Sequence, residues 1–181
     1  MAWNWQTMPA INPISMKQLL FLAPGLLFCV VIEASPTPAP VSPFASHAIV
    51  AAPLQNASMA NEILKYINEY RRKKRLPALA MNAVISAEAQ RHSENMASNR
   101  TDFGHSGFKN RMKRIVPQIN GNGSMSENVA YGNMTAKQVV EEWLESSMHR
   151  ENIVGRYNVT GIGIAADRKG ALYFTQIFAA N

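Results

Sequence analysis

Cysteine is the scarcest resource in this chain. Cys29 is the one cysteine among 181 residues. A single thiol can form neither an intrachain disulfide nor a cysteine–zinc cluster. Charge is also sparse, at 17% of residues, which excludes a disordered chain held open by its own charge. No apolar run reaches the roughly 20 residues that a membrane-spanning helix needs. Familiar catalytic signatures are missing too. There is no phosphate-binding loop and no dinucleotide fingerprint. His149 and Glu151 do not make H-E-x-x-H, so a zincin helix is excluded. "GHSG" lacks the closing glycine of a nucleophile elbow, where Phe108 stands instead, and no strand clearly precedes it.

The longest apolar run is Leu19–Ile32, preceded by Lys17 and broken by Pro24 and Gly25. Its length suits the apolar core of a secretory signal peptide, roughly 7–15 residues. Met16 is a plausible start, and cleavage is expected after Ala34, giving a signal peptide over 1–34. An uncleaved anchor is the alternative. Phe28 is too bulky for the small residue that precedes a lipidated cysteine, which weakens a lipoprotein reading of Cys29. If Cys29 leaves with the signal, the mature protein has no thiol and its core must hold it unaided. Secretion or release into a periplasm follows as the expected location.

What is present is enough for one ordinary domain. Apolar residues make up 47% and the formal net charge is +6. A basic surface attracts nucleic acid, anionic lipid or acidic polysaccharide, and export removes nucleic acid from that list. "SPTPAPVSP" marks a Pro-rich linker over 35–57. The domain is expected over 58–181, acting as a monomer without a transmembrane helix.

Ser58 reads as a helix cap, followed by Ile63, Leu64, Ile67 and Tyr70 at helical spacing. "RRKKR" (71–75) closes that helix, where cations suit the macrodipole. A second helix is expected from Asn82, its cap, to Asn99. Its stripe of Ile85, Ala89, His92 and Met96 puts His92 on the apolar face, as a core histidine bonded to backbone. "FKNRMKRI" reads as a short helix. A short strand is expected near Glu127, and Thr135 caps a helix carrying Val139, Val140, Trp143 and Leu144. "NVTGIGIAAD" and "ALYFTQIFA" form a hairpin around "DRKG". Helices followed by a hairpin indicate α+β layering. Three polar residues stand out for chemistry: His105, Glu127 and His149. Two imidazoles and a carboxylate can hold a divalent metal or exchange protons, although 44 positions separate His105 from His149.

The segments "ILKYINEYRRKKRLPAL", "AEAQRHSENMA", "GHSGF", "SENVAYG", "VVEEWLESSMHRENI" and "GIGIAADRKGALYFTQIF" together resemble the CAP superfamily. This comprises the cysteine-rich secretory, insect venom antigen 5 and plant pathogenesis-related proteins. The likeness is to the cysteine-free bacterial branch of SCP-like extracellular proteins and runs from about Ser58 to Asn181, with the segments in order and at matching spacing. It implies a three-layer α-β-α sandwich with a central antiparallel sheet and a cleft on one side. In that cleft His105 matches the first family histidine. Glu127 matches the acidic residue of G-E-N, with Ser126 in place of the glycine. His149 matches the second histidine, with Ser147 and Met148 in place of Pro-Gly. Ser146 stands where animal members carry a second glutamate, and Glu145 beside it points about 100° away on a helix. Gln176 matches a recurrent position expected to line the cleft from the last strand.

The resemblance therefore implies that His105, His149 and Glu127 take a divalent metal such as zinc. It places Gln176 and Ser146 at the ligand, and favours a binding module for a lipid, sterol or glycan over an enzyme. A metal-assisted hydrolase with Glu127 as base is the alternative. An envelope adhesion module, tethered by the linker and resting on anionic polymers, is a third possibility. Arg111 is expected to pair with an acidic neighbour, and Arg150 and Asn152 to tie down the loop after the helix.

Overall fold

The computed structural model describes residues 45–181, with side chains from Leu54 onward. The signal segment and Cys29 lie outside the described residues. The first helix, α1, spans Ala45–Lys73. It begins well before Ser58, so Ser58 sits exposed inside the helix instead of capping it. Residues 45–57, assigned above to the linker, are helical. Their alanine-rich, glycine-free composition favours helix, and that outweighs the signal of Pro53.

Along α1, Ile63 and Ile67 are fully buried, and the stripe continues to Arg71 at 1% exposure. Arg71 is thus no solvated end-of-helix cation. Its Nε donates to Pro77 O at 2.9 Å, Nη1 to Ile153 O and Gly155 O at 2.8 and 3.0 Å, and Nη2 to Tyr157 O at 3.0 Å. One guanidinium, with its rigid fork of donors, therefore satisfies four carbonyls in two distant loops. Burial lowers its pKa.

Helix α2 spans Ala83–Ala97 and is capped by Asn82, whose Oδ1 accepts from Val84 N and Ile85 N. The predicted stripe of Ile85, Ala89, His92 and Met96 is buried. Helix α3 spans Phe108–Ile115 and opens at Gly107, whose φ of 77° suits glycine. Arg114 ties α3 to α2 by a two-pronged pair with Glu88 at 2.9 and 2.8 Å. Helix α4 spans Ala136–Glu145 and starts in a capping box between Thr135 and Gln138. Helix α5, Ser147–Ile153, occupies what the sequence presented as a loop.

The sheet holds four strands in the order β1-β3-β4-β2, namely β1 (Ala80–Met81), β2 (Met125–Gly132), β3 (Val159–Ala166) and β4 (Leu172–Ala179). β2, β4 and β3 are antiparallel neighbours, as expected. The two-residue β1 adds a parallel bridge to β3 that the sequence did not announce. Asp167 Oδ1 closes the β3–β4 turn by accepting from Lys169 N and Ala171 N.

Alternation along the strands assigns the two faces. The register pairs Glu127 with Ile177, Val129 with Thr175 and Gly163 with Thr175, so these share one face. That face lies under α2 and α3, with Ile85, Ala89, Ile115, Ile119 and Ile177 as its core. A Cβ on Gly161 or Gly163 would run into the backbone of α2 at Ile85–Ser86 or Ala89–Gln90. The two glycines let the helix lie directly on β3. Gln90 then pairs with both N and O of Ile164 at 2.9 and 3.0 Å, covering part of the β3 edge that β1 leaves open. On the other face Ala130, Ile162, Phe174 and Phe178 meet Ile63 and Ile67 of α1 and Val139, Val140 and Trp143 of α4. The result is an α-β-α sandwich in which β2 forms one edge.

Candidate functional site

The site is built around Glu127, on edge strand β2 and facing α2 and α3. Its side chain is 1% exposed. A buried carboxylate needs partners, and Glu127 is fully provided. Arg111 of α3 donates Nε to Oε2 at 2.9 Å and Nη2 to Oε1 at 2.8 Å. His105, on the loop before α3, brings Nδ1 to 3.0 Å from Oε1. An ionised carboxylate only accepts, so Nδ1 of His105 donates to it, and Nε2 is left outside this hydrogen bond. The His105 side chain is 52% exposed. It therefore presents an oriented imidazole to solvent from a buried anionic anchor.

Two further residues shape this loop. Arg111 Nη1 donates to Ser106 O at 2.9 Å. His92 Nε2 donates to Gly104 O at 2.8 Å, the core role expected from its apolar stripe. Burial pushes the Glu127 carboxyl up, but hydrogen bonds from His105 and Arg111, with the charges of Arg111 and His92, outweigh it and hold the group below its ordinary value. A carboxylate held ionised in this way is a weak base. Burial likewise lowers His92, opposed by its bond to Gly104.

His149 approaches from the other side of the β2 edge, on α5. Asn128, which faces away from Glu127 on β2, donates Nδ2 to His149 O at 3.1 Å. Asn152 donates to Asn128 Oδ1 at 2.8 Å and to Glu127 O at 3.3 Å. These amides hold α5 against the strand, so Asn152 anchors a helix and not a loop. Arg150 caps the end of α4 through Leu144 O at 2.6 Å. The His149 ring is half-buried, and its Nδ1 is buried with no hydrogen-bond partner. Burial first, and the charge of His105 second, lower its pKa, against a raising influence of Glu142. The two imidazoles thus sense each other electrostatically, while direct contact is formed only between His105 and Glu127.

The remaining expected positions take other roles. Ser146 is the N-cap of α5, accepting from His149 N at 3.5 Å, so it positions the histidine. Gln176 is fully buried. It lies opposite Asn128 in the register, hence on the sheet face away from Glu127, and its Nε2 donates to Thr160 Oγ1 at 3.2 Å. It does not line a cleft with Glu127, because a period of two sends alternate β4 side chains to opposite faces. Glu145 is exposed at the end of α4.

A divalent ion ligated by His105, Glu127 and His149 together does not fit this arrangement. Both Glu127 oxygens are already engaged, and the Arg111 guanidinium beside them repels a cation. Among the described residues no three His, Cys, Asp or Glu groups converge as ligands. His105 Nε2 and the His149 ring are what remain for an incoming group.

The model of the CAP family, described as the cysteine-rich secretory protein family, matches residues 64–178. The chain is 27% identical to the uncharacterized protein YkwD of Bacillus subtilis over 144 residues, which is 76% of this chain and 54% of that one. It is 35% identical to the human Golgi-associated plant pathogenesis-related protein 1 over 85 residues, 46% of this chain and 47% of that one. The chain thus spans about half the length of the curated relatives it matches. Among solved structures it is similar to an outer surface protein of Borrelia burgdorferi, with TM-score 0.58 and 23% identity, covering 66% of this chain and 90% of that one. It is equally similar to an extracellular protein of Bacillus anthracis containing an SCP domain, with TM-score 0.58 and 23% identity over 70% of this chain and 41% of that one. The family match covers most of the chain and the sandwich fold accords with it, so this chain, with its solitary cysteine, belongs to the cysteine-rich secretory protein family.

Proposed function

We propose that the chain works outside the cytoplasm as a binding module, and that its cleft takes a small or polymeric ligand through His105 and His149. The observation that carries this is the His105–Glu127–Arg111 cluster. It holds an exposed imidazole in one orientation, anchored from behind by a buried ion pair. Such preorganisation lowers the entropic cost of binding. The extracytoplasmic setting rests on the apolar N-terminal run and on similarity to proteins described as outer surface and extracellular. A lipid, a sterol or a glycan headgroup remains the ligand class. A divalent ion such as zinc would rest on the two imidazoles alone, with Glu127 orienting His105 from behind, as carboxylates do for ligating histidines.

Calorimetric titration of the full chain with zinc, beside His105→Ala and His149→Ala, tests the shared site. One binding event in the wild type, lost in both variants, is the expected result. Absence of any event in the wild type removes the ion from this reading. Loss in one variant alone shows that the two histidines do not share a site. Hydrolysis of a peptide or ester library, abolished by Glu127→Gln, would replace the binding module with the hydrolase.

A further inference from the structure

A second concave surface lies on the same sheet face, at the far end of β2 from Glu127. Tyr131 is four residues beyond Glu127 on this strand, about 13 Å at the rise of an extended chain. It stands directly opposite Tyr173 of β4, and their ring centroids are 4.7 Å apart. Phe103, two residues before His105, adds a third ring, 6.2 Å from Tyr131 and 6.5 Å from Tyr173. Aromatic clusters of this size normally sit in a core. Here Phe103 is 55% and Tyr131 51% exposed. The two tyrosines line a groove of about 800 Å³ between the C-terminal end of α2 and the β3–β4 turn, a volume within the roughly 300–1,000 Å³ of ligand sites.

The charges around this groove are unequal. Arg100, Arg168 and Lys169 line it, all exposed, and none forms an ion pair among the described residues. The two carboxylates that line it accept from neutral donors and keep their charge, so three cations face two anions and the lining is positive by one. Asp167 closes the hairpin turn through Oδ1, and Glu94 accepts from Gln90 at 3.0 Å. Asp102 neighbours Phe103 in the chain but does not line the groove.

We propose that this groove binds a segment of an acidic polysaccharide, a sugar ring lying on the exposed face of Tyr131, which Phe103 backs from outside the groove, and its carboxylates meeting Arg100, Arg168 and Lys169. The C–H bonds on one face of a pyranose carry slight positive charge and match the negative face of an aromatic ring. Guanidinium groups match carboxylates two-pronged. A neutral glycan would use the rings but leave three cations idle. A lipid surface would need a flat, convex apolar patch, and this one is a polar-lined concavity. The inference is independent of the His105–His149 cleft.

The test is titration of the full chain with an oligomannuronate hexasaccharide, and with cellohexaose as its neutral counterpart. The acidic sugar is expected to bind with an affinity that falls as salt rises. Tyr131→Ala and Arg168→Glu should each weaken it about tenfold or more, a typical loss for a central contact. Both positions are exposed, so the fold is retained, which circular dichroism confirms. His105→Ala should bind unchanged, which separates this site from the cleft. No binding of the acidic sugar to the wild type, equal binding of cellohexaose, unaltered binding in both groove variants, or stronger attachment to phosphatidylglycerol vesicles would each overturn the proposal.

Discussion

At the scale of single residues, the site is organised by one ion pair. Arg111 is buried against a buried carboxylate, so the two charges depend on each other. Arg111→Met leaves Glu127 desolvated without its principal partner. A loss of about 3–5 kcal/mol is expected from such a broken buried pair, read as a lower urea midpoint with an unchanged slope. The titrating groups set a second expectation. His92 and His149 both have folded pKa values below their ordinary 6.5, and Glu127 lies below 4.5. For every one of them the unfolded chain binds the proton more readily, so stability rises with pH. The contribution of the histidines is complete above pH 6.5 and is lost as pH falls through their folded values. That of Glu127 is complete above pH 4.5 and is lost further into acid. Urea midpoints between pH 8 and pH 2 should therefore decline in two steps, with the upper step reduced in His92→Gln. A midpoint that rises on acidification would contradict these assignments.

At the scale of elements, short-range signals were legible. Asn82 and Thr135 cap the helices they were expected to cap, because a cap is decided within three residues. The hairpin and its turn likewise follow from alternation and from Asp167 to Gly170. Three features were not legible. Helix α5 is seven residues long, too short for periodicity to declare it. Arg71 sits in a basic run whose composition suggests solvent, yet it is the residue that continues the stripe Ile63, Ile67 at steps of four; the spacing held the signal. Gly161 and Gly163 resemble ordinary strand breakers and instead admit α2 to close contact. Gly163→Ala should force α2 away from β3 and destabilise by about 1–3 kcal/mol, the range for overpacking, while Gly170→Ala, in open space but at φ 85°, should cost less. Thermal melts of the two variants compare these directly.

At the scale of the whole molecule, the absence of cystine sets the mode of stabilisation. With one cysteine in the sequence, no intrachain disulfide contributes to any part of the fold. The melting temperature should be the same with and without a reducing agent. A drop under reduction would show that an intermolecular bridge through Cys29 supports the structure. Stability comes instead from two cores, one on each side of the sheet, and from buried polar ties such as Arg71 and the pair Ser93–Thr175 at 2.8 Å. Among the described residues no helix is long and apolar enough to cross a membrane.

The amino-acid sequence alone determined the α+β class, the two best caps, the core stripe of α2, the terminal hairpin and the identity of His105, Glu127 and His149 as the residues to watch. All of these rest on short-range patterns or on ordered motifs. Only the tertiary structure decided which of them meet. Strand register put Glu127 and Gln176 on opposite faces, and β2 at the sheet edge brought α3 and α5 to its two sides. The guanidinium of Arg111 then claimed both oxygens of the carboxylate. Such pairings arise from the packing of elements far apart in the chain, where a single residue of register separates a ligand from a core side chain.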